Sequence, residues 1–189
     1  MQLSESCGYF EGLKTLTDYI YLPEEAVDYF SYFTSQGYRR AGIILYKNLC
    51  PHCLKCKSIR IPTSTFTLSK SQRKIWKINQ DIEVRLCQDK KEMLSDEKIR
   101  LYADYSKKHD KTMTKENSLE ELIYWNGIDS ETGLVNYKGT RNLDYYLDGK
   151  LIAVSVIDIV NDGISSVYFY YDLSSPCMKR SLGSYSVLY

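Results

Sequence analysis

Three runs rich in β-branched and aromatic residues, 142–147, 151–160 and 164–172, follow one another with only Asp148-Gly149 and Asn161-Asp162-Gly163 between them. Gly, and less readily Asn and Asp, tolerate the positive φ that a tight hairpin requires, so both connections read as turns. Links this short cannot carry a crossover, and the three runs are predicted to form an antiparallel meander. Upstream, Pro23–Gln36 reads as a helix, with Glu24 and Glu25 at its positive end and Ala26, Tyr29, Phe30 and Phe33 on one face. Ile43–Tyr46 and Ile59–Ile61 read as short strands flanking a cysteine loop, Lys70–Lys77 as a basic helical turn and Asp81–Cys87 as a strand. Ser95 opens a helix that turns Ile99, Tyr102 and Tyr105 inward, and Ser118-Leu119-Glu120-Glu121 has the spacing of a capping box for a helix reaching about Trp125. Arg180 to Ser184 reads as a loop entering a last helix. The fold class expected is α+β. A boundary near residues 88–95 divides it into a cysteine-bearing part, 1–90, and a sheet-and-helix part, 91–189.

Composition adds exclusions. Hydrophobic residues make up 43% and charged residues 26%, ordinary globular values that exclude disordered, collagen-like and coiled-coil chains. No apolar run approaches the roughly 20 residues of a membrane span, and no basic-then-apolar signal opens the chain, so a cytoplasmic protein without a membrane partner is expected.

With 25 Lys+Arg against 24 Asp+Glu, the net charge of +1 argues on its face against a polyanionic partner. Its distribution argues the reverse. No acidic residue occurs from Tyr29 to Gln80, where Arg39, Arg40, Lys47, Lys55, Lys57, Arg60, Lys70, Arg73, Lys74 and Lys77 supply ten positive charges; the remainder carries a net −9. A basic face of this kind attracts polyanions at range. The 18 tyrosines add rings that can stack on bases or line a polar pocket.

Six cysteines are present, and without a signal peptide they are expected to be reduced. Cys50-Pro51-His52-Cys53-Leu54-Lys55-Cys56 sets three thiols at intervals of three in a loop, where they can converge on one soft metal while Lys47, Lys55 and Lys57 favour the thiolates. Cys7 is the best candidate for a fourth ligand. Such a set can hold an iron–sulfur cluster or a tetrahedral zinc, and a metal-free thiol loop is the remaining reading. Cys87 and Cys177 need no role beyond packing.

Several motifs in order carry a resemblance. These are Cys7-Gly8-Tyr9, Gly37-Tyr38-Arg39-Arg40-Ala41-Gly42, Tyr46, Cys53-x-x-Cys56, Ile59-Arg60 and Ser69-Lys70-Ser71-Gln72-Arg73-Lys74 with Asn79 and Asp81. Tyr102-x-x-Tyr105 with Lys108-His109, Gly149–Val154, Asp158, Ser165–Tyr168, Tyr170–Asp172 and Ser181–Tyr185 complete them. Together they resemble the aminoacyl-tRNA–protein transferases, and the triple-cysteine loop is more similar to the bacterial aspartate/glutamate leucyltransferase branch than to the arginyltransferases. The resemblance implies an acetyltransferase-like (GNAT) sheet after the cysteine-bearing part. It also implies transfer of leucine, or arginine, from its tRNA to proteins with an N-terminal Asp or Glu, which makes a degradation signal. The family continues through further strands and helices past the position of Tyr189, so an incomplete sheet and donor pocket are expected.

The reaction that the resemblance implies is attack of an α-amine on the ester carbonyl of an aminoacyl-tRNA, which would leave the protein mainly positioning and charge stabilisation to supply. Strand alternation puts Tyr168, Tyr170 and Asp172 on one side of the last meander strand, and Asp172 is expected to orient or deprotonate the amine. An acidic N-terminal residue needs a confined cation, for which Arg60, Arg73 and His109 are the candidates. Arg39, Arg40, Lys70 and Lys74 are expected on tRNA phosphates, and Arg180, Ser181 and Gly183 at the tRNA 3′ end, since Arg-x-x-Gly opening a helix can present N–H groups to phosphate. The competing readings are a coenzyme A-dependent N-acetyltransferase and a non-catalytic iron–sulfur or zinc RNA-binding module.

Overall fold

The computed structural model describes residues 1–21, 29–108, 112–129, 131–133 and 137–189. Within them β1 (Gln2–Leu3), β2 (Thr17–Tyr21), β3 (Arg39–Ala41) and β4 (Ile44–Asn48) form an antiparallel sheet in the order β1-β2-β4-β3. A second antiparallel sheet runs β5-β6-β7-β8, from β5 (Glu83–Cys87), β6 (Thr140–Leu147), β7 (Lys150–Val160) and β8 (Gly163–Tyr171). The helices are α1 (Phe30–Ser35), α2 (Lys70–Ile78), α3 (Lys90–Met93), α4 (Asp96–Ser106), α5 (Lys115–Trp125), α6 (Ser175–Met178) and α7 (Leu182–Leu188). Among the described residues no helix is long and apolar enough to cross a membrane.

The predicted meander is β6-β7-β8, with Asp148 and Gly149 both at positive φ in the first turn. Mixed helix and antiparallel sheet agree with the α+β expectation. The run Leu151 to Val156 is buried throughout because β7 is covered on both faces. Leu151 and Val154 pack with Ile99, Tyr102 and Leu122 of α4 and α5, while Ile152 and Ala153 pack with Leu182 and Tyr185 of α7.

Two local expectations change outright. Ile59–Ile61 is not a strand: Ile59 is 86% exposed, and β-propensity without a pairing partner does not make a strand. Helix α5 is capped earlier than predicted, by Thr114, whose hydroxyl accepts the Asn117 N–H at 3.2 Å. Ser118 lies buried inside that helix and donates back to the Thr114 carbonyl. Of the helix expected over 23–36, positions 22–28 fall outside the described residues and α1 accounts for Phe30–Ser35. Finally, β5 pairs with β6, so strand pairing runs across the division expected near residue 90.

The two sheets meet at their edge strands, β3 and β8. Arg39 donates to the Ser166 carbonyl at 3.0 Å. Arg40 reaches the Asp158 carboxylate at 2.8 and 3.1 Å, the Gly42 carbonyl at 3.0 Å and the Trp125 carbonyl at 2.9 Å. The Arg40 and Asp158 side chains are 2% and 0% exposed, and Thr140 adds a hydroxyl hydrogen bond to Asp158 at 2.7 Å. Arg40, expected on tRNA phosphates, is therefore the latch between the sheets. A guanidinium can be buried only where its charge and donors are all met, and here the partners are within the chain.

A second buried pair joins α4 to the sheet. Lys98 lies 2.8 Å from Asp144 and donates to the Asn142 amide oxygen at 3.1 Å; Asn142 donates to Asn126 at 2.7 Å, and Asn126 to the Leu122 carbonyl. This polar chain ties α4, β6 and α5 together beneath the apolar cluster of Tyr102, Leu122 and Tyr170.

Candidate active site

Residues of the acid-free block line a cavity of about 630 Å³ whose walls include Arg39, Lys47, Lys55 and Lys57 together with Tyr9, Phe10 and Tyr46. Strand pairing places Arg39 opposite Tyr46 and Tyr46 opposite Tyr19, so these three share one face of the first sheet. Helix α5 packs against the turn between β3 and β4. The Tyr124 ring lies so close to Gly42 that a Cβ there would approach it to 2.6 Å, and Gly42 also has φ +61°, so a side chain is excluded twice over. Burial pushes the Tyr124 phenol up, with Tyr46 and Glu121 acting in the same direction and Arg40 against them.

A second cavity of about 570 Å³ adjoins the first, sharing Lys47, Cys56 and Lys57, and all four predicted ligands, Cys7, Cys50, Cys53 and Cys56, line it. Cys7 is brought there by a hairpin-like turn in which its N–H donates to Leu13 at 2.8 Å and Thr15 donates to Glu5 at 2.7 Å. The Cys50 sulfur accepts the Leu16 N–H at 3.5 Å. Four thiols beside lysines have the donor chemistry of a soft-metal site. Among the described residues no three His, Cys, Asp or Glu side chains form a closed ligand group, so the sulfurs share a cavity without an assembled shell.

On the other side of the β3/β8 junction, α4, α5 and β8 bring rings and a carboxylate together. The Trp125 indole N–H donates to the Tyr102 hydroxyl at 3.0 Å, and that hydroxyl donates to Glu121 Oε2 at 3.3 Å. Tyr168 stacks on Trp125 with centroids 4.2 Å apart and planes 16° from parallel, and lies tilted on Tyr102. Burial, reinforced by Tyr102 and by the Glu121 charge, pushes the Tyr168 phenol far up, so it stays protonated at neutral pH. Tyr170 is fully buried against Tyr102, with a hydroxyl that has no hydrogen-bond partner among the described residues. It is a core residue, whereas Tyr168 stays half-buried beside the Tyr102 hydroxyl and Glu121.

Asp172 sits apart from these rings. It pairs with Lys150 at 2.7 Å and accepts the Ser174 N–H at 2.8 Å. Burial alone would raise its carboxyl, but the Lys150 and Ser174 hydrogen bonds hold it below the ordinary range, which makes it a weak base. A group of lowered pKa stabilises the fold above its unfolded value near 4 and loses that contribution as pH falls through the folded value. Lys150 is well exposed, so Lys150→Met is expected to cost under about 1 kcal/mol at pH 7, and denaturant melts should show that difference fading as pH falls below the ordinary carboxylate range.

The other candidates are dispersed. Arg180 is held in a two-pronged pair with Asp81, at 2.7 and 2.8 Å, and also donates to the Ile78 carbonyl, so its guanidinium already has a partner. Ser181 enters α7 in the left-handed region (φ 54°) and Gly183 is exposed in the first turn of that seven-residue helix. Arg60 is largely exposed, 3.9 Å from Asp162 in the β7–β8 turn. Lys70, Arg73 and Lys74 lie exposed on α2, with the Arg73 guanidinium turned to the Leu68 carbonyl. His109 falls outside the described residues. Glu121 and Trp125 were not read from the sequence as site residues, and Lys55 and Lys57 were read only as neighbours of the cysteine thiols. The lysines carried a signal, their place in the acid-free block; Glu121 looked like a helix-capping residue.

With this geometry in place, comparison with known proteins is informative. Family models for the N terminus and the C terminus of arginine-tRNA-protein transferases match residues 5–74 and 97–189. An aspartate/glutamate leucyltransferase of Leptospira interrogans is 32% identical over 189 residues, covering 97% of this chain and 69% of that protein. Proteins of the same name from Nitrosococcus oceani and Stutzerimonas stutzeri are 34% and 32% identical, over 98% and 97% of this chain and 74% of each relative.

Proposed function

The chain belongs to the arginine-tRNA-protein transferase family, and from that premise we propose that it transfers leucine from its tRNA to the α-amine of proteins beginning with Asp or Glu. It is an aminoacyltransferase; the choice of leucine is supported by the relatives at 30% identity and above being named leucyltransferases. The observation that carries the reading on this chain is the cavity of Arg39, Lys47, Lys55 and Lys57 opening beside Tyr46 and the β3/β8 junction. Its cations suit the phosphates of an acceptor stem and its rings suit the terminal bases, with Lys70 and Lys74 of α2 extending the basic surface. Arg60 and Arg73 remain the candidates for the acidic acceptor side chain. The second sheet and its helices are read as the acetyltransferase-like half that holds the reacting groups, acting in the cytoplasm where charged tRNA resides. A coenzyme A-dependent reaction is not favoured, since both family models and the similar proteins are aminoacyl-tRNA-dependent transferases by name.

Cys7, Cys50, Cys53 and Cys56 would hold an iron–sulfur cluster, or zinc, in the cavity that adjoins the basic one. Bound there, the group would tie the N-terminal turn to the cysteine loop and fix the Lys55 and Lys57 wall. Brown anaerobic material with a thiolate-to-iron absorbance separates iron from zinc.

The decisive assay offers an Asp-starting peptide to tRNA charged with labelled leucine or labelled arginine. Leucine transfer is expected; arginine transfer alone would reassign the donor, and transfer of neither label would remove the reading. Lys55→Gln/Lys57→Gln is expected to weaken leucyl-tRNA binding at least tenfold and to reduce the slope of log affinity against log salt by about 1.5, as for two lost phosphate contacts.

A further inference from the structure

Asp172 is held by Lys150 and Ser174, and Tyr168 keeps its proton, so the expected trio contains no effective base. A carboxylate not used so far, Glu121, stands beside Tyr168 and Tyr102. We propose that Glu121 is the catalytic residue that carries the proton from the attacking amine to the leaving ribose oxygen, held in place by Tyr102 and Trp125. The proposal rests on the aminoacyl-transfer reading above.

Three elements build this position. Glu121 and Trp125 are four residues apart on α5 and so lie on one face, and Tyr102 of α4 bridges them, accepting from the indole and donating to Glu121 Oε2. Tyr168 of β8 stacks on the same indole. The carboxylate is therefore held through one oxygen, and among the described residues Oε1 carries no hydrogen bond. It is half-buried, neither locked in the core like Asp144 nor fully hydrated. Trp125 also gives its carbonyl to Arg40, so the latch between the sheets sets the position of the same turn of α5. The ionisable groups around Glu121 are Tyr102 from α4, Tyr168 from β8 and Tyr124 from α5, with Arg40 and Tyr46 of the first sheet beyond Tyr124. Tyr46 is in turn a wall of the basic cavity. Glu121 thus belongs to the ring cluster on β8, and Tyr124 of the same helix has both it and Tyr46 of the basic cavity as electrostatic neighbours.

The step balances without a further reagent. The free amine attacks the ester carbonyl carbon, forming the C–N bond and a nitrogen that bears one proton too many. Glu121 accepts that proton and becomes the neutral acid. The tetrahedral intermediate then collapses, the bond from carbon to ribose oxygen breaks, and the departing oxygen takes the proton from Glu121, which restores the carboxylate. Tyr102 and Trp125 are positioning residues in this scheme.

Glu121→Gln keeps an oxygen for Tyr102 and loses only the proton acceptor. In single-turnover reactions of pre-bound leucyl-tRNA with an Asp peptide, it is expected to slow transfer at least 100-fold, within the range for a lost acid–base group, while leucyl-tRNA affinity stays within twofold of wild type. Glu121→Ala is expected to recover tenfold or more when acetate is added, in proportion to its ionised fraction, and Glu121→Asp to exceed Glu121→Gln by tenfold. A merely structural glutamate would show neither response. Glu121→Gln within threefold of wild type, or folded, tRNA-binding Glu121→Ala that acetate does not restore, overturns the proposal while leaving the transfer reading intact. Wild type that transfers neither leucine nor arginine overturns the reading and the proposal with it.

Discussion

Asp158→Ala is expected to lower the stability of the fold by about 3–5 kcal/mol, the cost of leaving a buried charge without its partner. Arg40 is 2% exposed in its side chain and Asp158 of β7 0%, and Asp158 supplies two of the four Arg40 hydrogen bonds, so a lost partner is not readily replaced by solvent. Arg40→Ala should cost as much, because Asp158 would keep only Thr140. In urea the midpoint should fall by more than about 1 M for either variant, given slopes of 1–3 kcal/mol per M. Arg40→Met/Asp158→Leu separates charge from shape: buried pairs replaced by apolar residues of similar volume are often neutral. The double variant should therefore recover most of the loss. A single variant within 1 kcal/mol of wild type would mean that the junction opens to solvent, and Arg40 would return as a phosphate ligand.

Lys98→Ala is expected to be comparably damaging at neutral pH, about 3–5 kcal/mol, and its pH dependence is diagnostic. Burial raises the Asp144 carboxyl, and the Lys98 charge and hydrogen bond oppose that rise. Removing Lys98 lets the carboxyl rise further. A carboxyl whose folded pKa exceeds its unfolded value contributes stability below the unfolded value, near 4, and loses it as pH rises through the folded value. The deficit of Lys98→Ala should accordingly be smallest near pH 4 and grow toward pH 8. Denaturant melts of both proteins across that range would measure it. A deficit independent of pH would assign the loss to packing of the lysine stem instead.

Much of the second sheet was legible because its signals are local. Asp148-Gly149 sits in the predicted turn with both residues at positive φ, and β7 reads as an apolar run because both of its faces are covered. Ser69 and Gln72 form the capping box of α2 with the spacing that their sequence displays. Ile59–Ile61 failed for the complementary reason. Its residues favour a strand, but a strand exists only where another strand offers its backbone. Thr17–Tyr21 was passed over and does pair, with β4, a contact between segments nearly 30 residues apart.

The candidate site divides in the same way. Composition along the chain located the basic block, ten cations without one acid, from which a polyanion partner is proposed. The cysteine spacing likewise placed Cys50, Cys53 and Cys56 in one loop. Which cations remain available was decided only in three dimensions: Lys55 and Lys57 face a cavity, whereas Arg40 is buried on Asp158, 118 positions away, and Arg180 is held by Asp81, 99 positions away. Carboxylates sort likewise, Asp172 onto Lys150 and Glu121 onto Tyr102. Turn chemistry, periodicity and charge density are properties of neighbouring residues and survive in the linear order. The partner of a charge is set by the packing of distant segments, and burial makes that partner decisive, because an unpaired ion in a low dielectric is far costlier than one in water.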